Sequence, residues 1–241
     1  TNIYSFTING ASDFLFANIK SINPYPSKAL FYALGYTYNE EGGGWENGYG
    51  NIIANCYSTN AVLFTGIVPS VMIANCYISG SSPGSAYIEN HAVGFSMSIS
   101  NTSFIVGTSG SLINLEGESE YDVGSLIVFE NNYINVSGDC DDVFHAAGKL
   151  SIVARNNTIY SSVAPEGNDN DVAFIGQLTR IFENNIIYGW WRLRYEVGGN
   201  NVFYNMYELE LQQGDVVANP NLDSDGYSRN PLYYDIGKQP N

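Results

Sequence analysis

Positively charged residues are scarce in this chain. Only 9 Lys and Arg residues accompany 24 Asp and Glu residues, which gives a formal net charge of -15 over 241 residues. Nucleic acids and anionic membranes are themselves negatively charged, so this composition excludes both as favourable partners. An acidic polymer would need a cation between itself and the chain.

Long apolar runs are also missing. No run approaches the ~18 residues of a membrane span, so we predict no such span. The amino end lacks the basic and apolar regions of a signal peptide, and the chain begins at Thr1 rather than Met. We therefore expect a processed form or an excised domain. The content of 44% apolar and 14% charged residues is that of a folded chain, not of a disordered one.

Cysteine is rare, with three residues, and two of them have the same surroundings. Cys56 and Cys76 each follow an Asn directly, in the phrases NIIANCYST and VMIANCYIS. If these phrases stack at the strand spacing of about 4.8 Å, the two side chains are close enough for a disulfide. Two stacked thiols are equally compatible with this spacing. Cys140 stands alone in a polar segment, so cysteine does not identify the redox compartment.

The abundant feature is a repeated phrase, in which alternating apolar residues precede an Asn and further apolar residues follow it. The alternation predicts a strand on each side of the Asn, with a bend between them. Asn tolerates the left-handed conformation of a tight bend, and stacked Asn amides can hydrogen-bond to one another. The copies lie 16 to 37 residues apart, as in a solenoid. We therefore predict a structural asparagine ladder of Asn18, Asn55, Asn75, Asn101, Asn131, Asn156, Asn184 and Asn200.

A further strand precedes each phrase, in segments such as NAVLFTG, SLINLEG and DVFHAAG. Three strands per coil with an Asn bend after the second resemble the right-handed parallel β-helix of the pectate-lyase-like superfamily. The resemblance implies an all-β solenoid of about eight coils over residues 1–205, followed by an irregular C-terminal cap or tail over residues 206–241. Within this tail, ELEL and DVVA can also form strands. The resemblance specifies the fold and hardly any chemistry.

Loops of variable length flank the first strand of each coil and predict a groove over its outer face. An inward column of Leu30, Val62, Tyr87, Ile113, Phe144 and Ala173 would leave a polar patch outside, formed by Asn90, Asn114, Glu116 and His145. Members of the resembled superfamily usually bind glycans on this face. We therefore expect glycan contacts from Asn90 and Asn114, and from Trp45, whose ring can stack on a sugar. Alternatively, the Gly-rich insertion that carries Trp45 packs on itself.

The acidic segment GDCDDVFH borders this patch and resembles the paired carboxylates of polygalacturonases. That resemblance makes Asp141, Asp142, His145 and Glu116 the catalytic candidates, with one acid to protonate the leaving oxygen and another to activate water. The rest of the polygalacturonase pattern is missing, including its Gly-His-Gly and Arg-Ile-Lys elements. Alternatively, Asp139, Asp141 and Asp142 are solvated loop acids, and Asp139 and Asp141 are candidate calcium ligands. We expect no other cofactor.

Two function classes remain. The first is an extracellular or cell-surface structural or adhesive protein that self-associates as part of a filament, sheath or fibre. Its partners would be its own copies, joined head to tail through exposed edge strands, or cell-surface glycans. The second is a polysaccharide hydrolase or lyase. Small size and the incomplete catalytic pattern favour the first, and candidate glycosylation sequons at Asn101 and Asn135 agree with an extracellular location.

Overall fold

The structure is a computed structural model of the chain. It describes residues 6–9, 14–22, 31–34, 36–39, 44–47, 50–59, 63–68, 70–82, 87–90, 92, 95–108, 110–116, 124–138, 140–147, 150–163, 171–175 and 179–240. Strands dominate this part of the chain, and its one short helix is a single 3-10 turn at Pro231–Tyr233.

The strands follow one another in a regular order along the chain. They are β1 Phe6–Asn9, β2 Leu15–Ala17, β3 Lys20–Ile22, β4 Phe31–Leu34, β5 Tyr36–Asn39, β6 Gly44–Asn47, β7 Asn51–Ala54, β8 Tyr57–Thr59, β9 Phe64–Ile67, β10 Ser70–Ala74, β11 Tyr77–Ser82, β12 Ile88–Asn90, β13 Ser96–Ser100, β14 Ser103–Thr108, β15 Ile113–Glu116, β16 Ser125–Glu130, β17 Tyr133–Val136, β18 Asp142–Ala147, β19 Leu150–Arg155, β20 Thr158–Ser161, β21 Asp171–Ile175, β22 Arg180–Glu183, β23 Ile186–Tyr188, β24 Arg192–Leu193, β25 Val197–Gly199, β26 Val202–Tyr204, β27 Glu208–Leu209 and β28 Val216–Val217.

Three long sheets contain nearly all of these strands. Sheet 1 has the order β1-β4-β9-β12-β15-β18-β21-β24-β27, sheet 2 the order β2-β7-β10-β13-β16-β19-β22-β25, and sheet 3 the order β3-β8-β11-β14-β17-β20-β23-β26-β28. Successive strands visit the three sheets in turn and pair in parallel with the coils before and after. The chain is therefore an all-β parallel β-helix with three strands per coil, as the sequence predicts. Strands β5 and β6 form a separate antiparallel hairpin.

Apolar side chains fill the interior in stacked columns, because every second residue of each strand points inward. Sheet 3 contributes the column Ile78, Phe104, Ile134, Ile159, Ile187 and Phe203, and all six side chains are fully buried. In sheet 2, Phe129 is fully buried, and its ring centroid lies 5.1 Å from that of Phe144 of sheet 1 and 6.4 Å from that of Phe104. The core therefore joins all three sheets through rings of successive coils.

The Asn residues at the bends adopt the conformation that the sequence suggests. All eight have positive φ angles between 50° and 60°. Some of their amides hydrogen-bond to one another, as from Asn55 Nδ2 to Asn18 Oδ1 at 3.4 Å and from Asn131 Nδ2 to Asn101 Oδ1 at 2.7 Å. These bend residues are exposed or half-buried.

A second, buried ladder lies one residue after the bends. Its members are Asn132, Asn157, Asn185 and Asn201, all fully buried. Each Oδ1 accepts hydrogen bonds from the preceding coil, as when Asn157 Oδ1 accepts from the backbone N of Asn132 at 2.9 Å and from its Nδ2 at 3.1 Å. The carboxylate of Asp215 ends the series by accepting from Asn201. This buried ladder lies one position after the predicted column of bend Asn residues.

The predicted register of sheet 1 is wrong for its first coils. Phe31, Phe64, Ile88, Ile113 and Phe144 are aligned with one another and fully buried. The predicted inward column instead contains the preceding residues Leu30 and Tyr87, which would place the side chains of Phe31 and Ile88 on the outer face. A shift of one residue moves every side chain of a strand to the opposite face, so Phe31 and Ile88 enter the core, whereas Ile113 and Phe144 are buried as predicted.

The end of the chain folds back over the outer face of sheet 3. Strands β27 and β28 first extend sheets 1 and 3. Residues 218–240 then return along sheet 3, where Thr158 Oγ1 donates to the carbonyl of Gly226 at 2.8 Å and the backbone N of Gly237 donates to the carbonyl of Asn184 at 2.8 Å. The contact is close, because a Cβ on Gly226 would lie 2.4 Å from the Tyr133 ring. This returning tail buries Tyr133 and Thr158, which face outward.

Candidate functional site

A column of charged residues crosses the first positions of four strands in sheet 1. Asp142, Asp171, Arg192 and Glu208 are aligned on adjacent coils, at the strand spacing of about 4.8 Å. Arg192 donates from both Nε, at 3.1 Å, and Nη2 to Asp171 Oδ2. Its Nη1 lies 3.9 Å from Glu208 Oε2. The guanidinium group of Arg192 thus lies between the carboxylates of Asp171 and Glu208, and Asp142 is the next carboxylate in the column.

Asp142 is also paired with the imidazole of His145. Nδ1 of His145 lies 2.9 Å from Asp142 Oδ2, and the Asp142 side chain is only 10% exposed. Burial raises the pKa of Asp142 from its ordinary value of 3.8 to about 6, although the hydrogen bond with His145 acts in the opposite direction. The negative charges of Asp171 and Asp141 contribute to the rise. Asp142 therefore exchanges a proton close to neutral pH, as a general acid must.

Polar side chains continue from His145 along the outer face of sheet 1. Thr65, Glu89, Asn114 and His145 are aligned on successive coils. Thr65 Oγ1 donates to Glu89 Oε2 at 3.3 Å. The predicted neighbours Asn114 and His145 therefore do lie side by side. We call Asp142, His145, Asp171, Arg192 and Asn114 the sheet 1 site.

The other predicted site residues are arranged differently. Asn90 is fully buried rather than facing the groove. Its Oδ1 accepts from the backbone N of Val68 at 3.1 Å, and its Nδ2 donates to the carbonyl of Val68 at 3.0 Å. The predicted glycan contact at Asn90 is corrected accordingly. The side chain of Asp141 is exposed beside the site. The side chains of Glu116 and Trp45, and the whole of Asp139, lie outside the described residues.

Sequence reasoning did not identify Asp171 or Arg192. The signal for Asp171 was present, because DVFH and DVAF both begin with an Asp before two apolar positions. Aligning the two segments brings Asp171 next to Asp142. Arg192 carries no such signal, since it follows two Trp residues in a short coil with little strand pattern.

The three cysteines are buried, and none of them forms a disulfide. Cys56 and Cys76 directly precede the aligned residues Tyr57 and Tyr77, so they occupy equivalent positions on adjacent coils. A hydrogen bond from the Cys76 thiol lowers the pKa of Cys56 to about 7. Cys140 is fully buried, with its thiol 3.4 Å from the carbonyl oxygen of Asp142, rather than lying in a solvated loop. The disulfide remains a hypothesis about the oxidised protein.

The predicted glycosylation sites lie on the second bend of a coil and on sheet 3. Asn101 and Asn135 are both half-buried. In the part of the chain that the structure describes, no three His, Cys, Asp or Glu residues are grouped so as to hold a metal ion. The described residues also include no helix with the length and apolarity needed to cross a membrane.

Comparisons of the chain with protein-family models, curated proteins and solved structures found no match.

Proposed function

We propose that this chain is an extracellular or cell-surface structural or adhesive protein of the pectate-lyase-like superfamily, which associates with its own copies in a filament, sheath or fibre. The observation that supports self-association best is the outer face of sheet 2. Head-to-tail contact is also part of the proposal, because β1, β2 and β3 each pair on one side only within the described residues.

The outer face of sheet 2 carries an apolar row that runs through all eight of its strands. The aligned residues are Leu15, Ile52, Met72, Ser98, Val128, Val153, Ile181 and Val197. Only Ser98 is polar. Leu15 is 65% exposed, Met72 47% and Val197 49%. Seven strand steps make the row about 34 Å long. Its five other side chains are half-buried, and an apolar surface that is partly exposed over this length is a candidate interaction site.

The surroundings of this row suit contact with a second copy. In the first coils it is flanked by the small residues Ala17, Ala54, Ala74 and Ser100, so the surface there is flat. In later coils Arg155 partly neutralises the two flanking carboxylates, since it lies 2.8 Å from Glu183 and 3.9 Å from Glu130. On a chain of net charge -15, this face is where two copies can approach with little repulsion. A two-fold axis would pair the row with itself.

Met72→Lys is expected to weaken self-association at least tenfold, because it places a charge in the middle of the apolar row. Sedimentation velocity over a range of protein concentrations would measure this, with electron microscopy to detect ordered polymers. Added salt should strengthen association of the unmodified chain by screening its negative charge.

The matched control is Ser103→Lys, which makes the same charge on the outer, half-buried surface of sheet 3. It should associate as the unmodified chain does. A strict monomer at high protein concentration in both low and high salt would refute self-association, and equal weakening by the two substitutions would refute the role of sheet 2.

The sheet 1 site supports a second candidate function, in which the protein is a polysaccharide hydrolase or lyase. The specific observation is the high pKa of Asp142 next to the Asp171–Arg192 pair. Two carboxyl groups with different environments can divide the roles of acid and base between them. The half-exposed side chains of His145 and Asn114 would contact the glycan.

Under this second function, Asp142→Asn should reduce glycan cleavage at least a hundredfold. It should also raise the free energy of unfolding at pH 7.5 by about 2 kcal/mol, after allowance for solvent screening. The sign follows from the pKa, which is higher in the folded chain. Protonation therefore stabilises the fold below pH 3.8, and this contribution is lost as the pH rises through about 6.

Reducing-end assays on a panel of polysaccharides and urea denaturation at pH 4 and 7.5 would measure both effects. Asp225→Asn, an equal charge change at an exposed position of the tail, serves as the control. Unchanged cleavage in Asp142→Asn would exclude this catalytic site, and an unchanged pH dependence of stability would contradict the burial of its carboxyl group.

A further inference from the structure

A cavity of about 430 Å³ lies between the outer face of sheet 3 and the returning tail. The sheet side is formed by Tyr133, Asn135, Tyr160 and Tyr188, from three adjacent coils. The tail side is formed by residues 219 and 221–224. Neither the sheet 1 site nor the apolar row of sheet 2 includes any of these residues. Its volume falls in the range of small-molecule binding sites, about 300 to 1,000 Å³.

The aromatic side of the cavity follows from strand register. Asn135, Tyr160 and Tyr188 are aligned on β17, β20 and β23, so their side chains project outward one above another. The ring centroids of Tyr160 and Tyr188 are 4.8 Å apart, with a tilt of 45° between the rings. Both rings are half-buried. A Tyr side chain carries an apolar ring and a hydroxyl group, so this side of the cavity combines apolar and polar chemistry.

The tail side is held in place by its own hydrogen bonds. Asp223 Oδ1 accepts from the backbone N of Asp225 and of Tyr227, both at 3.0 Å, and Asp223 Oδ2 lies 2.7 Å from Arg229 Nη2. The backbone N of Asn221 donates to Asn219 Oδ1 at 2.8 Å. These contacts fix the tail before any ligand arrives, which lowers the entropy cost of binding.

The chemistry of the lining favours a neutral ligand with many hydroxyl groups. Burial raises the pKa of Tyr133 and of Tyr188, so both phenols remain uncharged donors. Amides of Asn135, Asn219 and Asn221 add donors and acceptors. The single charged residue in the lining, Asp223, is already paired with Arg229 and would repel an anion.

We propose that this cavity binds a neutral sugar ring of a glycan, with its apolar C–H face on Tyr160 and Tyr188 and its hydroxyl groups on the Asn amides. A sugar ring presents apolar faces and polar edges, which match the two kinds of surface in the cavity. The proposal does not rest on self-association, since the apolar row belongs to another sheet.

Saturation-transfer-difference NMR with neutral disaccharides, namely cellobiose, maltose, mannobiose and galactobiose, would test this assignment in the complete chain. At least one disaccharide should receive saturation, chiefly at its ring C–H groups. Tyr160→Ala and Tyr188→Ala should each weaken its binding at least fivefold. Tyr188→Phe keeps the ring and removes only the hydroxyl group, so it should weaken binding less than Tyr188→Ala. This difference separates the contribution of the ring from that of the hydroxyl group.

Tyr77→Ala is the matched control, because Tyr77 is another half-buried outward Tyr of sheet 3 that lies outside the cavity lining. Its disaccharide binding should equal that of the unmodified chain. Absence of saturation transfer from all four disaccharides would overturn the proposal. So would equal losses in Tyr77→Ala and Tyr160→Ala, or a tighter, Tyr188-dependent binding of choline, which would identify a cation site instead.

Discussion

Asn157→Ala is expected to lower the free energy of unfolding by about 4 kcal/mol, the largest effect of any single polar substitution that we predict. Asn157 is fully buried in the ladder. Its Oδ1 accepts from the backbone N and from Nδ2 of Asn132, and its Nδ2 donates to the carbonyl of Phe129 at 2.8 Å and to Asn185 Oδ1 at 3.0 Å. Alanine would leave several buried partners without hydrogen bonds, and each costs about 1 to 3 kcal/mol.

Urea denaturation followed by circular dichroism would measure this loss. The adjacent substitution Asn156→Gly is the control, because Asn156 is the bend residue with a φ of 54° and glycine adopts this conformation without strain. It should cost less than about 1 kcal/mol. Similar losses from the two substitutions would show that the bend, rather than the buried ladder, is what stabilises the coil.

Phe129→Ala is expected to lower the free energy of unfolding by a comparable amount, about 3 to 5 kcal/mol. The Phe129 ring is fully buried and contacts the rings of Phe104 and Phe144, so its removal opens a cavity where the three sheets meet. The parallel strands on both sides limit how far the walls can move inward to fill it. Urea denaturation at pH 7 would measure the change.

Val128→Ala provides the comparison for Phe129, since Val128 is the preceding residue of β16 and points outward. Its half-buried side chain should contribute less than about 1 kcal/mol. Phe129→Leu should fall between the two, because it restores part of the lost volume. Equally mild losses from Phe129→Ala and Val128→Ala would contradict the burial of Phe129, and a larger loss from Val128→Ala would mean that the inward and outward faces of sheet 2 are exchanged.

The local pattern of the sequence determined the architecture of this protein. The period-two alternation before and after each repeated Asn is sufficient to define two strands and the bend between them. Bends at Asn55, Asn75 and Asn101 can be identified without any knowledge of distant contacts, because the conformation depends on the residue itself. Repetition of the phrase then requires stacking, since one coil cannot bury its own apolar face. Because these features are local or periodic, they can be predicted from the sequence alone.

Tertiary structure alone decided the alignment of one coil with the next, and with it the candidate sites. The first-strand segments are short and apolar at consecutive positions, so their inward residues are ambiguous until pairing selects Phe31 and Ile88. The same pairing places Arg192 beside Asp171, and the return of the tail places Asp223 near Tyr160 and Tyr188. These contacts join residues 21 to more than 60 positions apart. Their geometry depends on loop lengths and on packing over the whole solenoid, and no local preference encodes either.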